Sequence, residues 1–141
     1  MSLDVLVVDD SPVMRRMVKR NLDLTGFELG KVREAKNGRD ALDKLSEGVV
    51  DLALVDVNMP VMNGIELIKA MKNDARLQAV PVVVVSSEAS NQRTAEFADM
   101  GVGYVRKPFT PEELVEAIIG ALSGGDHGAT GSALAGSGPD F

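Results

Sequence analysis

Three kinds of side chain in this 141-residue chain could do chemistry together: the carboxylates of Asp9, Asp10 and Asp56, the hydroxyls of Ser86 and Ser87, and the ammonium of Lys107. Each stands where a short apolar run stops. Val5–Val8 ends at Asp9-Asp10, Leu52–Val55 at Asp56, Pro81–Val85 at Ser86-Ser87, and the run 103–106 leads into Lys107-Pro108. Three carboxylates packed together repel one another and raise the pKa of at least one, unless a cation lies among them. Oxygen ligands without His or Cys select a hard divalent ion. A small protein ligand set with room for water and phosphate oxygens suits Mg2+ better than Ca2+, which takes about six to eight oxygens. An ammonium and a hydroxyl facing such an ion fit the oxygens of a transferring phosphoryl group, where catalysis is mostly positioning and charge neutralisation. The chain has no cysteine, and its one histidine, His127, lies in a Gly-rich stretch. The acceptor for such a group is then a carboxylate itself, giving an acyl phosphate.

Taken singly, each residue has an ordinary explanation. Asp9, Asp10 and Ser11 could cap a helix, Ser86-Ser87 could form a turn, and Lys107 could be solvated. Arg15, Arg16, Lys19 and Arg20 read as a solvated helix face or as a match for an acidic partner. Tyr104, the only tyrosine, reads as a half-buried packing residue. What those explanations leave out is the shared placement at the ends of apolar runs.

The elements that must position these residues alternate along the chain. Ser11-Pro12 is an N-cap followed by proline at the first helical turn, and Val13–Leu24 carries Val13, Met14, Met17, Val18 and Leu22 at helical spacing. Residues 31–36 alternate as a strand. Ala41, Leu42 and Leu45 mark a second helix, Gly64–Asn73 a third, 90–100 a fourth and 111–122 a fifth, with a short strand at 103–106. The near-continuous apolar strands require cover on both faces, as in a parallel sheet between helix layers. Five strand–helix units predict a doubly wound (βα)5 α/β sandwich of flavodoxin-like form, strand order 2-1-3-4-5. In such a sheet ligands bind beyond the carboxyl ends of the strands, where strand order reverses. The first and third strands are neighbours there, so the three carboxylates converge.

Composition agrees with one domain. A net charge of −6, from 15 Lys+Arg and 21 Asp+Glu, disfavours a nucleic-acid partner. The acidic start is unlike a signal peptide, and no apolar run approaches the roughly 18 residues of a membrane span, so no membrane partner and a cytoplasmic location are expected. Residues 1–122 form the expected domain. Residues 123–141, with six of the 14 glycines, are expected to be a flexible tail because they offer little apolar surface to bury.

With these motifs in view, the chain resembles the receiver domain of two-component response regulators, and most closely the single-domain chemotaxis members. The matching stretches are V-L-V-V-D-D-S, M-R-R-M-V-K-R-N-L, A-L-V-D-V-N-M-P-V-M-N-G, V-V-V-V-S-S-E-A and G-Y-V-R-K-P-F-T, in order across residues 3–122. The resemblance implies a phosphorylation-activated signalling switch, not a turnover enzyme. Asp56 would be the phosphoacceptor, and Asp9, Asp10, Asp56 and the backbone carbonyl of Asn58 would hold Mg2+. Lys107 would pair with the phosphoryl group, with a cis bond joining it to Pro108. Ser86 would move toward that group and Tyr104 would swing inward behind it, changing the face made by 90–100, 103–106 and 111–122. The implied partners are a sensor histidine kinase, of chemotaxis type, and a downstream protein such as a flagellar motor switch component, with the chain itself a monomer.

Departures from the family pattern are small. Ser86 stands for the commoner threonine, Ser87 for alanine and Val57 for the tryptophan often found there. Asn58 and Glu88 resemble the pair that borders the hydrolytic water in chemotaxis members, implying self-dephosphorylation within minutes. Two rivals share parts of the chemistry. A haloacid-dehalogenase-type phosphohydrolase also uses an aspartyl phosphate, but needs an aspartate where this chain has Asn58. A flavodoxin would meet repulsion between FMN phosphate and Asp9-Asp10. A third possibility stays within the family, the receiver of a larger regulator.

Overall fold

The valine-rich runs form the middle of a single parallel sheet in the computed structural model, which describes residues 2–87 and 91–124. In chain order the elements are β1 (Leu3–Val8), α1 (Pro12–Asp23), β2 (Leu29–Ala35), α2 (Gly38–Glu47), β3 (Leu52–Asp56), α3 (Gly64–Lys72), β4 (Val82–Ser86), α4 (Asn91–Asp99), β5 (Gly103–Arg106) and α5 (Pro111–Gly124). The sheet runs β2-β1-β3-β4-β5, all parallel, as the strand–helix alternation predicts. Every residue of β3 and β4 is buried, while β2 and β5 at the edges are only partly so.

Alternation along the strands sorts the core into two layers. Leu6, Val8, Ala53, Val55, Val82 and Val84 face one side, packing with Leu67, Ile68 and Phe97 from α3 and α4. Val5, Val7, Leu52, Leu54, Val83, Val85 and Val105 face the other, with Val18 and Leu22 of α1 and Leu114 and Ile118 of α5.

The helix boundaries follow local chemistry. Ser11 caps α1 by accepting from the Met14 backbone N–H, and Pro12 opens the helix. Asn37 caps α2, accepting from the Asp40 N–H, and Asn63 forms a reciprocal capping box with Glu66 on α3. The second strand differs from the sequence expectation of 31–36: it begins at Leu29, because the Asp4 carboxylate accepts from the Lys31 N–H and Leu3 donates to the Glu28 carbonyl. The last helix continues through Gly124, so Ser123 and Gly124, expected in the tail, are helical; the rest of that tail lies outside the described residues. No helix among them is long and apolar enough to cross a membrane.

The β3–α3 connection carries the one strained backbone position outside glycine among the described residues. Val61 has φ 68°, and Met62 N–H donates across it to the Pro60 carbonyl at 2.7 Å, closing a three-residue γ-turn. A β-branched residue in the left-handed region is an outlier, costing about 1 kcal/mol or more. Its side chain is 81% exposed, so little packing offsets the strain. Val61→Asn, which keeps a side chain but tolerates this conformation, is expected to raise stability by about 1 kcal/mol, read as a higher midpoint in urea unfolding. A lower midpoint would show that the valine makes contacts outweighing the strain.

Candidate functional site

Asp9 follows directly on β1 and is held from every side. Its N–H donates to the Ala35 carbonyl at 3.0 Å, its carbonyl accepts from the Arg15 guanidinium at 2.7 Å, and its Oδ1 accepts from the Ser11 N–H at 2.9 Å. The remaining carboxylate oxygen meets Lys107. Asp56 closes β3, where Gly64 brings the start of α3 against it: the Gly64 N–H donates to the Val57 carbonyl at 2.9 Å, and a Cβ at Gly64 would collide with the Asp56 carbonyl oxygen. The glycine is thus required by close approach, a role that its place in the M-P-V-M-N-G run did not disclose.

Lys107 arrives from the far side of the sheet. Its backbone N–H donates to the Ser86 carbonyl at 2.8 Å, its bond to Pro108 is cis as the resemblance implies, and its Nζ lies 3.3 Å from both Asp9 Oδ2 and Asp56 Oδ1. Asp10, exposed, completes the group. One carboxylate oxygen from each of Asp9, Asp10 and Asp56 lies within 4.8 Å of the others, an acidic cluster able to hold a metal ion.

The cluster is electrostatically costly. Asp9 is 3% and Asp56 8% exposed. Burial is the main force raising the Asp56 carboxyl above the ordinary range, and the charge of Asp9 adds to it. Lys107 pulls in the opposite direction without cancelling the rise. One ammonium therefore under-compensates three carboxylates, and the donor set, all oxygen, fits a hard divalent cation.

Of the residues singled out in the sequence, Asp9, Asp10, Asp56 and Lys107 come together. Ser86 and Tyr104 take a different place. Ser86 is buried at the end of β4 and, two positions beyond Val84, falls on the opposite face of the sheet from Val85. Tyr104 pairs with Val84 in register and shares that face. Its ring is half-buried, stacked on Phe97 of α4 with centroids 5.5 Å apart. Asn58 is exposed, two residues past β3. Glu88, expected to border the path of water, lies outside the described residues.

The basic face of α1 requires correction. Arg16 and Arg20 are exposed, but Arg15 and Lys19 are not simply solvated: both bind the Glu34 carboxylate on β2, at 2.6 and 3.1 Å. The signal was Glu34 itself, a lone acid beside lysine and arginine in a strand that otherwise reads as a polar edge.

Comparison with known proteins agrees with this geometry. The family model described as response regulator receiver domain matches residues 5–119. The chain is 43% identical over 117 residues to "Chemotaxis protein CheY" of Pseudomonas aeruginosa, covering 82% of this chain and 93% of that one. It is 36% identical over 126 residues to "Chemotaxis protein CheY1" of Helicobacter pylori, covering 88% and 100%. Among solved structures it is similar to the chemotaxis protein CheY4 of Vibrio cholerae, with a TM-score of 0.75, 36% identity, and 86% and 100% of the two chains covered.

Ionising Asp56 beside Asp9 opposes folding wherever no metal is bound. Because the folded-state pKa lies above the ordinary 3.8, this penalty is complete at pH above the raised value and vanishes below 3.8, where folded and unfolded chains both carry the protonated acid. In chelator, Asp56→Asn is expected to have a higher Tm than the wild type at neutral pH, the gap closing as the pH falls toward 3.8. A gap that stays constant or widens on acidification would contradict this account.

Proposed function

The chain belongs to the response regulator receiver family, and on that premise we propose that Asp56 accepts a phosphoryl group from a sensor histidine kinase at a Mg2+ site formed by Asp9, Asp10, Asp56 and the Asn58 carbonyl. The chain is a phosphorylation-activated receiver domain, a phosphoacceptor switch and not a turnover enzyme. The observation that carries the site assignment is the under-compensated cluster of Asp9, Asp10 and Asp56, with Lys107 bridging Asp9 and Asp56 at the carboxyl ends of β1 and β3.

Bound there, Mg2+ would neutralise the carboxylates and the oxygens of the incoming phosphoryl group. The chain's own residues do the rest. An Asp56 carboxylate oxygen forms the new P–O bond as the P–N bond to the kinase histidine breaks, and the imidazole leaves with the electron pair. Lys107, already 3.3 Å from Asp56, becomes the cationic partner of the phosphoryl oxygens. The Ser86 hydroxyl is drawn toward the same group, and Tyr104, on the Ser86 face of the sheet and stacked on α4, turns inward as space opens behind it. Phosphorylation thereby favours a conformer with an altered α4–β5–α5 face.

The chemotaxis names of the relatives support a chemotaxis-type kinase as donor and a component of the flagellar motor switch as target. We also propose a monomeric, cytoplasmic protein with no nucleic-acid partner, the last in accord with its net charge of −6.

Acetyl phosphate, or beryllofluoride, with Mg2+ is expected to modify the wild type but not Asp56→Asn, read by intact mass and by change at Tyr104 in NMR spectra. Equal response of both would refute Asp56 as acceptor. Lys107→Ala should still accept phosphoryl slowly while failing to shift Tyr104; a normal shift would remove Lys107 from the switch. The phosphorylated wild type should lose its phosphoryl group within minutes without a phosphatase. Persistence for hours would contradict the role given to Asn58 and Glu88.

A further inference from the structure

We propose that Arg15 and Glu34 form a brace that positions Asp9 and Asp10 for a divalent cation, acting through the peptide group that joins the two aspartates. The proposal rests on the reading of the acidic cluster as a Mg2+ site. Neither residue supplies a ligand to that site: both are positioning residues.

The geometry is specific. Arg15, with a side chain only 16% exposed, divides its guanidinium fork between two acceptors: Nε donates to Glu34 Oε1 at 2.6 Å and Nη1 to the Asp9 carbonyl oxygen at 2.7 Å. That carbonyl belongs to the planar unit between Asp9 and Asp10, so fixing it fixes the plane from which both side chains depart. Glu34 is fixed in turn. Lys19 Nζ holds its other carboxylate oxygen at 3.1 Å, and Lys44 Nζ of α2 donates to its backbone carbonyl at 3.3 Å. The next residue, Ala35, accepts the Asp9 N–H. An edge strand carrying no ligand thus anchors both sides of the Asp9 backbone.

The chemistry explains the choice of residues. A lysine ammonium is a point donor and could not hold this forked geometry, whereas the planar guanidinium can. An arginine near a cation site would by itself repel the cation. Glu34, shared between Arg15 and Lys19, offsets part of that charge, and stays ionised because those two cations hold its carboxyl below the usual range. Arg15 thereby delivers directional hydrogen bonds with a smaller net field than an unpaired guanidinium would add.

Arg15→Met separates positioning from charge by the sign of its effect. Removing a positive charge should tighten Mg2+ binding if only through-space electrostatics matter; loss of the brace should weaken it, by about tenfold, the scale seen when groups that orient metal ligands are removed. The measurement is the Mg2+ dissociation constant of the unphosphorylated full chain, by NMR titration well below the Tm. Arg15→Lys, which keeps the charge without the fork, should also weaken binding, and serves if the methionine variant does not fold. Glu34→Gln should weaken it too, its deficit relative to the wild type at the same ionic strength narrowing at high salt as the uncompensated guanidinium is screened. Wild-type affinity or tighter in the Arg15 variants, even with a lowered Tm, would overturn the brace and leave the site reading intact. A wild type that binds no Mg2+ would overturn the site reading and the brace with it.

Discussion

Everything in this molecule is arranged around a repulsion. Three carboxylates at the ends of two neighbouring strands cannot all be ionised and close without a cation, and among the described residues one ammonium meets them, Lys107, at 3.3 Å from two of them. The deficit is what makes the site receptive. Neutralised by a second lysine, the cluster would be a structural ion network with little affinity for Mg2+; without Lys107, it would have no fixed cation to meet a phosphoryl group. Of the net charge of −6, three units sit in this cluster and two in the acids of the C-terminal stretch, Asp126 and Asp140. The remaining surface is near neutral, and the acidity is a local property of the site.

Holding such a cluster requires a rigid frame, and the parallel sheet is suited to it. Both core layers press on β1, β3 and β4, so the strand ends cannot part to relieve the repulsion. Close contacts complete the frame. Gly64 lets α3 abut the Asp56 backbone, and Gly38 does the same for α2 against Met62, donating its N–H to the Met62 carbonyl. The strain at Val61 lies in the same connection, a few residues from Asp56. Backbone cost is thus concentrated next to the charge cost, and the stability of the whole domain carries both.

The fold was legible from the sequence because its strongest signals are local. Unbroken valine runs specify strands covered on both faces, Ser11-Pro12 specifies a helix start, and right-handed crossovers leave few strand orders to choose among. The cluster was legible because strand ends in such a sheet share one edge. Less visible were the pairings that join distant elements through a side chain and a backbone group. Arg15 looks like one of four basic residues on a solvated helix, and nothing in its immediate sequence shows that its guanidinium reaches back to the Asp9 carbonyl and across to β2. Leu29 and Gly30 likewise join β2 through contacts from another strand: Leu3 donates to the Glu28 carbonyl and the Asp4 carboxylate accepts from the Lys31 N–H.

The division of site residues between the two faces of the sheet bears on how a signal leaves the site. Asp9, Asp56 and Lys107 share one parity of strand alternation with Val7, Leu54 and Val105, the layer beneath α1 and α5. Ser86 and Tyr104 follow the other, with Val84 and Phe97, beneath α4. On the proposed reading, a phosphoryl group on Asp56 would stand at the carboxyl end of the sheet between the two layers, where Lys107 would reach it from one and Ser86 from the other. Drawing Ser86 over withdraws a buried group from the layer that also holds the Tyr104–Phe97 stack. A close-packed layer does not tolerate a void, so the tyrosine ring is the side chain placed to follow. On that proposal the change would appear on α4 and β5, while Arg15, bonded to Glu34 and to the Asp9 carbonyl, would keep Asp9 and Asp10 still toward the β2 edge. Separating a fixed side from a movable one lets a single charge be bound firmly and reported at a distance.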